Sequence, residues 1–103
     1  MSIDFLWLML VLLSILVKPD NIQLLASESK VCQDSVVTFT CSADGNPVVH
    51  TYQLYENGSL VSNSSSGVWN RTMSSGGVFV YKCVAHNSLG TAMSTRTVTV
   101  NGK

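Results

Sequence analysis

The chain has 103 residues, enough for one domain, and six basic residues balance six acidic ones to leave no formal net charge. Without a net field the folded part has nothing to draw nucleic acid or an anionic membrane, and neither is expected as its partner. Charged residues make up only 12% of the chain while Ser, Thr and Asn are abundant, the composition of an exported β-domain kept soluble by hydroxyls, amides and glycans.

Residues Phe5 to Val17 form an almost unbroken apolar run, followed at once by Lys18 and Pro19. A bilayer span takes about 20 residues, so this run suits the core of an export signal better. Residues 1–18 therefore read as a signal peptide, cut between Val17 and Ala26, or as a short signal anchor. The flanks do not choose: Met-Ser-Ile-Asp carries no Lys or Arg, and no Ala-x-Ala follows the run. Membrane contact is expected only through this segment, if it stays uncut.

Beyond it, short alternating runs are separated by turn formers, as in a sandwich of antiparallel strands. Asn21 to Ala26 reads as a strand with Ile22 and Leu24 inward, and Ser35 to Ser42 as a second. Asp44-Gly45-Asn46-Pro47 should then break the ladder with four turn formers. His50 to Tyr55 is the third strand, and Glu56-Asn57-Gly58 turns it into a short strand around Leu60 and Val61. Ser62 to Gly67 reads as a polar loop. In the next strand, Val68 to Met73, Asn70 begins a sequon, and a glycan stands only on a water face, so Trp69 and Met73 should face the core. Arg71 then falls on the inner side as well, near the sheet end with its guanidinium reaching solvent. Val78 to Asn87, a turn at Ser88-Leu89-Gly90, and Thr91 to Val100 complete the domain.

Cys41 follows Val37 and Phe39 at period two, and Cys83 follows Phe79 and Tyr81 in the same way, so both sulfurs point inward. Facing each other across two sheets, they would close a loop of roughly 40 residues, which contributes about 4 kcal/mol by restricting the unfolded chain. A zinc half-site at Cys83-Val84-Ala85-His86, completed by His50 and Cys32, is the alternative. It is disfavoured because positions 83 and 86 of a strand point to opposite faces, and no metal or other cofactor is expected.

The runs Val36-Val37-Thr38-Phe39-Thr40-Cys41-Ser42-Ala43-Asp44-Gly45-Asn46-Pro47 and Tyr81-Lys82-Cys83-Val84-Ala85-His86-Asn87-Ser88-Leu89-Gly90-Thr91-Ala92 carry a resemblance. Together they resemble an immunoglobulin superfamily domain of the intermediate or C2 type, as in hemicentin-like tandem cell-adhesion proteins. The resemblance implies an all-β, two-sheet antiparallel Greek-key sandwich over residues 19–101 and a Cys41–Cys83 disulfide. Cys32 is then left as an unpaired thiol, either partly buried or bridging to another chain or module. Tyr81 is implied as the tyrosine of the family's corner, its hydroxyl bonding a backbone group. Two departures stand out: Gly77 and Phe79 stand where the family usually has Asp and then Gly or Ala, which removes one partner of a salt bridge under that corner, and Leu54 stands where a Trp packs on the disulfide. Tyr52, Phe39 or Trp69 should take up that space.

Asn57, Asn63 and Asn70 begin three sequons within 14 residues. If occupied, their glycans should shield the face carrying the short fourth strand and the Val68 strand, leaving the other sheet or the domain ends for contact. No catalytic constellation is present: His50 and His86 have no adjacent nucleophile, no Gly-rich phosphate loop follows a strand, and the acidic residues are scattered singly. An enzyme is not expected. The resemblance implies an extracellular, secreted or cell-surface protein-binding module in adhesion or recognition, with another surface or matrix protein as partner, homophilic pairing included. The competing expectation is a passive spacer in a larger chain with neighbouring immunoglobulin domains. Candidate contact loops are Asn46-Pro47, His50 and Leu89.

Overall fold

The computed structural model describes residues 15–102, and every regular element in them is a strand. β-branched residues and strict apolar–polar alternation favour a pleated, half-buried surface along most of this stretch. The strands are β1 (Val17–Ala26), β2 (Lys30–Cys32), β3 (Val36–Asn46), β4 (Thr51–Glu56), β5 (Ser59–Ser64), β6 (Val68–Thr72), β7 (Gly77–Asn87) and β8 (Gly90–Asn101). They make a three-stranded sheet in the order β1-β3-β6 and a five-stranded sheet in the order β2-β8-β7-β4-β5. All pairings are antiparallel except β2 with β8, which run parallel. The all-β sandwich is therefore as the sequence implies. The apolar run up to Ser14 lies outside the described residues, and β1 begins two residues ahead of the expected domain start.

The two inner faces meet in one core. Leu24, Val37 and Phe39 come from the smaller sheet, and Leu54, Tyr81, Ala85, Val98 and Val100 from the larger, with Tyr52, Trp69 and Met73 also buried. Each Val, Leu, Phe or Met side chain among them, taken fully out of water, stabilises the fold by about 1.5–3 kcal/mol. Cys41 and Cys83 are bonded across the sheets with their Cα atoms 6.4 Å apart. Leu54 pairs directly with Cys83 across the β4–β7 ladder and is fully buried. Phe39 and Tyr81 pack in the same core with their ring centroids 4.3 Å apart.

Turn chemistry sets the connections. Asn57 and Gly58, with φ of 48° and 88°, form the two-residue turn between β4 and β5, where positive φ at both positions matches the twist of the flanking strands. Between β5 and β6 the Ser64 hydroxyl accepts the amides of Ser66 and Gly67. Gly67 has φ +77° and sits so close to Cys41 that a Cβ would collide with the Cys41 carbonyl oxygen. The described chain enters beside Asn87, which donates to the Val17 carbonyl, and leaves beside Gly77, which pairs with Val100. Entry and exit lie at opposite ends of β7.

Three element expectations need correction. Asp44-Gly45-Asn46 does not break β3, which runs on to Asn46 because β1 pairs with it through register shifts, Val17 opposite Asn46 and Asp20 opposite Asp44. β5 takes in Ser62 to Ser64 of the expected loop by pairing with Leu54, Gln53 and Tyr52. β2, not anticipated at all, pairs with Thr99 to Asn101 at the sheet edge.

Candidate functional site

One end of the sandwich is built around Asn87, the one buried polar residue among the described residues. Its Nδ2 donates to the carbonyls of Val17 and Pro47, both at 2.9 Å, and its Oδ1 accepts the Leu89 amide at 2.9 Å. A buried amide leaves no donor or acceptor without a partner cheaply, so these bonds fix three segments together. Asn46 Nδ2 also donates to the Ile15 carbonyl. Of the candidate contact residues, Asn46 and Pro47 thus serve the construction of this end, while Leu89 is left exposed beside it together with Val48. His50 stands at the entry to β4, its Nδ1 2.8 Å from Thr51 Oγ1 and its amide donating to the His86 carbonyl. Asn87 was missed by sequence reasoning; an Asn one residue ahead of Ser-Leu-Gly, able to bond its own backbone two residues on, was the available signal.

The outer face of the five-stranded sheet is the second feature. Register places Tyr55, Lys82 and Thr95 in one row, and Gln53, Val84 and Met93 in the next. Val78, Val80, Leu60 and Met93 are exposed here. Lys82 lays its ammonium 4.8 Å from the Tyr55 ring centroid, a cation–π contact, and His86 Nε2 lies 2.6 Å from Gln53 Oε1. Exposed apolar side chains on this face are thus set among Thr, Lys, Gln and His.

At the opposite end of β7, Tyr81 departs from its expected role. Its hydroxyl donates to Glu56 Oε2 rather than to backbone and also lies 3.5 Å from Met73 Sδ. Arg71, on the inner side of β6 as expected, places Nη2 3.5 Å from the same Glu56 oxygen. Glu56 thereby supplies the carboxylate that Gly77 does not. Burial pushes the Tyr81 phenol well above its usual range, and the Glu56 carboxylate reinforces the shift while Arg71 opposes it. Trp69 Nε1 and Arg71 Nε, both on β6, are buried without a hydrogen-bond partner among the described residues. The adjoining cleft of about 100 Å³, lined by Glu56, Arg71, Met73 and Phe79, is well below the 300–1,000 Å³ that small-molecule sites occupy.

The remaining site residues fall as follows. Cys83 is bonded to Cys41, and His86 Nε2 lies against Gln53 Oε1. Cys32 is exposed rather than partly buried, and is unpaired. Asn57 lies in the β4–β5 turn, Asn63 on β5 opposite Gln53, and Asn70 on β6 opposite Thr38. β5 and β6 belong to different sheets, so glycans on them would not share one face as expected.

Two sheets closed face to face by a central disulfide, with a parallel edge strand on the larger sheet, define an immunoglobulin-type sandwich. An immunoglobulin domain model matches residues 19–101, and the chain belongs to that family. Kin of IRRE-like protein 3 of Homo sapiens is 32% identical over 87 residues, covering 80% of this chain and 11% of the relative. The Mus musculus protein of the same name is 30% identical over the same shares. The chain thus spans about a tenth of the length of these curated relatives. Among solved structures, the tandem Ig repeats of Dlar match with a TM-score of 0.61 at 24% identity over 82% of this chain and 50% of that one. The N-terminal four Ig domains of Dscam1 isoform 8.4 match at 0.60 and 17% over 81% and 21%. At such identities the likeness speaks for the fold.

Proposed function

We propose that this chain is an extracellular contact module, an immunoglobulin domain that binds a cell-surface or matrix protein in adhesion or surface recognition. One observation carries the reading: Val78, Val80, Leu60 and Met93 stand exposed on the outer face of the five-stranded sheet. A passive spacer is best served by a uniformly polar surface, whereas apolar side chains exposed along one face, Val78 beside Val80 on β7 with Leu60 and Met93 further along it, favour a contact site. With no net charge to steer a partner, affinity would come from apolar burial and shape. The export reading is supported by the apolar leader-like run and by a disulfide in a small domain, which belongs to oxidising compartments. The multi-domain setting of the Dlar and Dscam1 structures supports neighbouring immunoglobulin domains as the context.

The test is binding of the multivalently displayed chain to itself and to cell surfaces, with Val80→Glu and Met93→Glu as probes. Each change is expected to weaken binding at least tenfold, about 1.4 kcal/mol, with the β-sheet circular dichroism and melting temperature held. Binding to neither itself nor any cell surface would replace the contact reading with the spacer.

A further inference from the structure

Both sheets end in open edges on the same side of the sandwich. β5 is the last strand of the larger sheet and β6 the last of the smaller, and only residues 65–67 separate them. The pairing pattern shows which groups β6 leaves open. Cys41 donates to the Gly67 carbonyl and Met73 to the Ser35 carbonyl, so by antiparallel alternation Trp69 and Arg71 also bond toward β3. The amides and carbonyls of Val68, Asn70 and Thr72 therefore point away from it, with no partner among the described residues. Such an edge is a template for another strand. An antiparallel copy of β6 placed on it by a two-fold axis through Asn70 would satisfy all three residues, so the occupant that fits is a second copy of this chain.

Each open edge carries a sequon asparagine. Asn63 is exposed on β5, and Asn70 is exposed on β6. At Asn70 the Thr38 hydroxyl donates to Oδ1 at 2.7 Å, which orients the amide and leaves Nδ2, the atom a sugar would join, uncommitted. Asn57 differs: its Oδ1 accepts the Val80 amide at 2.8 Å and its backbone holds a positive φ, so it serves the turn.

We propose that Asn63 and Asn70 carry N-linked glycans that seal these two edges and keep the domain from pairing with a second copy of itself. In each transfer Nδ2 loses a proton to solvent and gains a bond to C1 of an oligosaccharide. The C1–O bond to the donor's phosphate breaks, and the donor, a lipid-linked oligosaccharide diphosphate, departs as the lipid diphosphate. A bulky hydrated group beside an edge excludes an approaching strand without any change in the core. The proposal rests on the export reading above.

The full chain is expressed in a mammalian secretory host, and the secreted product is mapped by glycopeptide mass spectrometry and sized by light scattering. Glycans at Asn63 and Asn70 on a monomer are expected. N63Q/N70Q, and separately S65A/T72A, which removes both acceptor motifs but keeps both asparagines, should retain the β-sheet spectrum and shift to at least twice the monomer mass. A parallel version carries a foreign export signal in place of residues 1–14, leaving all eight strands intact. If only that version is secreted, the export reading fails while the edges are still tested on it. Secreted protein bare at both asparagines, or folded variants that stay monomeric at the same concentration, would overturn the proposal.

Discussion

Tyr81 shows how a single phenol can tie a strand end together. Its hydroxyl is buried and donates to Glu56, which in turn faces Arg71. Tyr81→Phe should cost about 1–2 kcal/mol, read as a drop of roughly 4–16 °C in melting temperature for a domain of this size. The pH dependence follows from the direction of the shift. Because the folded phenol titrates above the unfolded one, its contribution is complete below about pH 10 and is lost as pH rises beyond that. Denaturant titrations should therefore show a steeper alkaline loss for the parent than for Tyr81→Phe; parallel alkaline limbs would remove the linkage. The sequence made Tyr81 legible as a core aromatic but not its partner. Glu56 sits next to a turn 25 residues away, and a carboxylate there reads as solvated until β4 and β7 are placed side by side.

Among the elements, the short connections are the most exacting. Gly67 and Gly58 both have positive φ, but only Gly67 has a backbone oxygen in the way of a Cβ; around Gly58 nothing lies within 4 Å. Gly58→Ala should cost only the left-handed backbone penalty, about 1–2 kcal/mol, whereas Gly67→Ala should cost at least about 3 kcal/mol because the β5–β6 connection must shift away from β3. Equal losses in chemical denaturation would show that the β5–β6 link yields freely. Strands with clean alternation, such as those holding Cys41 and Cys83, were legible in the sequence. β2 was not, because three residues that pair in parallel carry neither a hairpin signal nor a period long enough to read. The sequence predicts a shorter β3 because Asp, Gly and Asn are turn formers, yet an irregular ladder with β1 accommodates them.

For the molecule as a whole, the inter-sheet bond restricts the unfolded chain most directly. It closes a separation of 42 residues, and C41A/C83A should lose about 4 kcal/mol on the chain-entropy account. C32S should change neither stability nor mass. Unfolding of the three proteins in parallel checks this, and an unchanged C41A/C83A midpoint would refute the estimate. The fold was legible at this scale because the runs around Cys41 and Cys83 together resemble the immunoglobulin pattern, and the short alternating runs between them suit a sandwich. The proposed contact surface was much less so: that Val80 and Met93 share one outer face depends on strand order, which alternation within a strand does not encode.

The opposed entry and exit of the described chain have a mechanical consequence. Tension applied between Ile15 and Asn101 would run along the strands, loading the β1–β3 and β2–β8 ladders in shear, where several hydrogen bonds must fail together rather than one after another. The stretch between Cys41 and Cys83 would stay out of the extension even after both ladders gave way. At 42 residues it withholds about 140 Å of contour, so an oxidised domain would yield a short, sharp lengthening and a reduced one a much longer one.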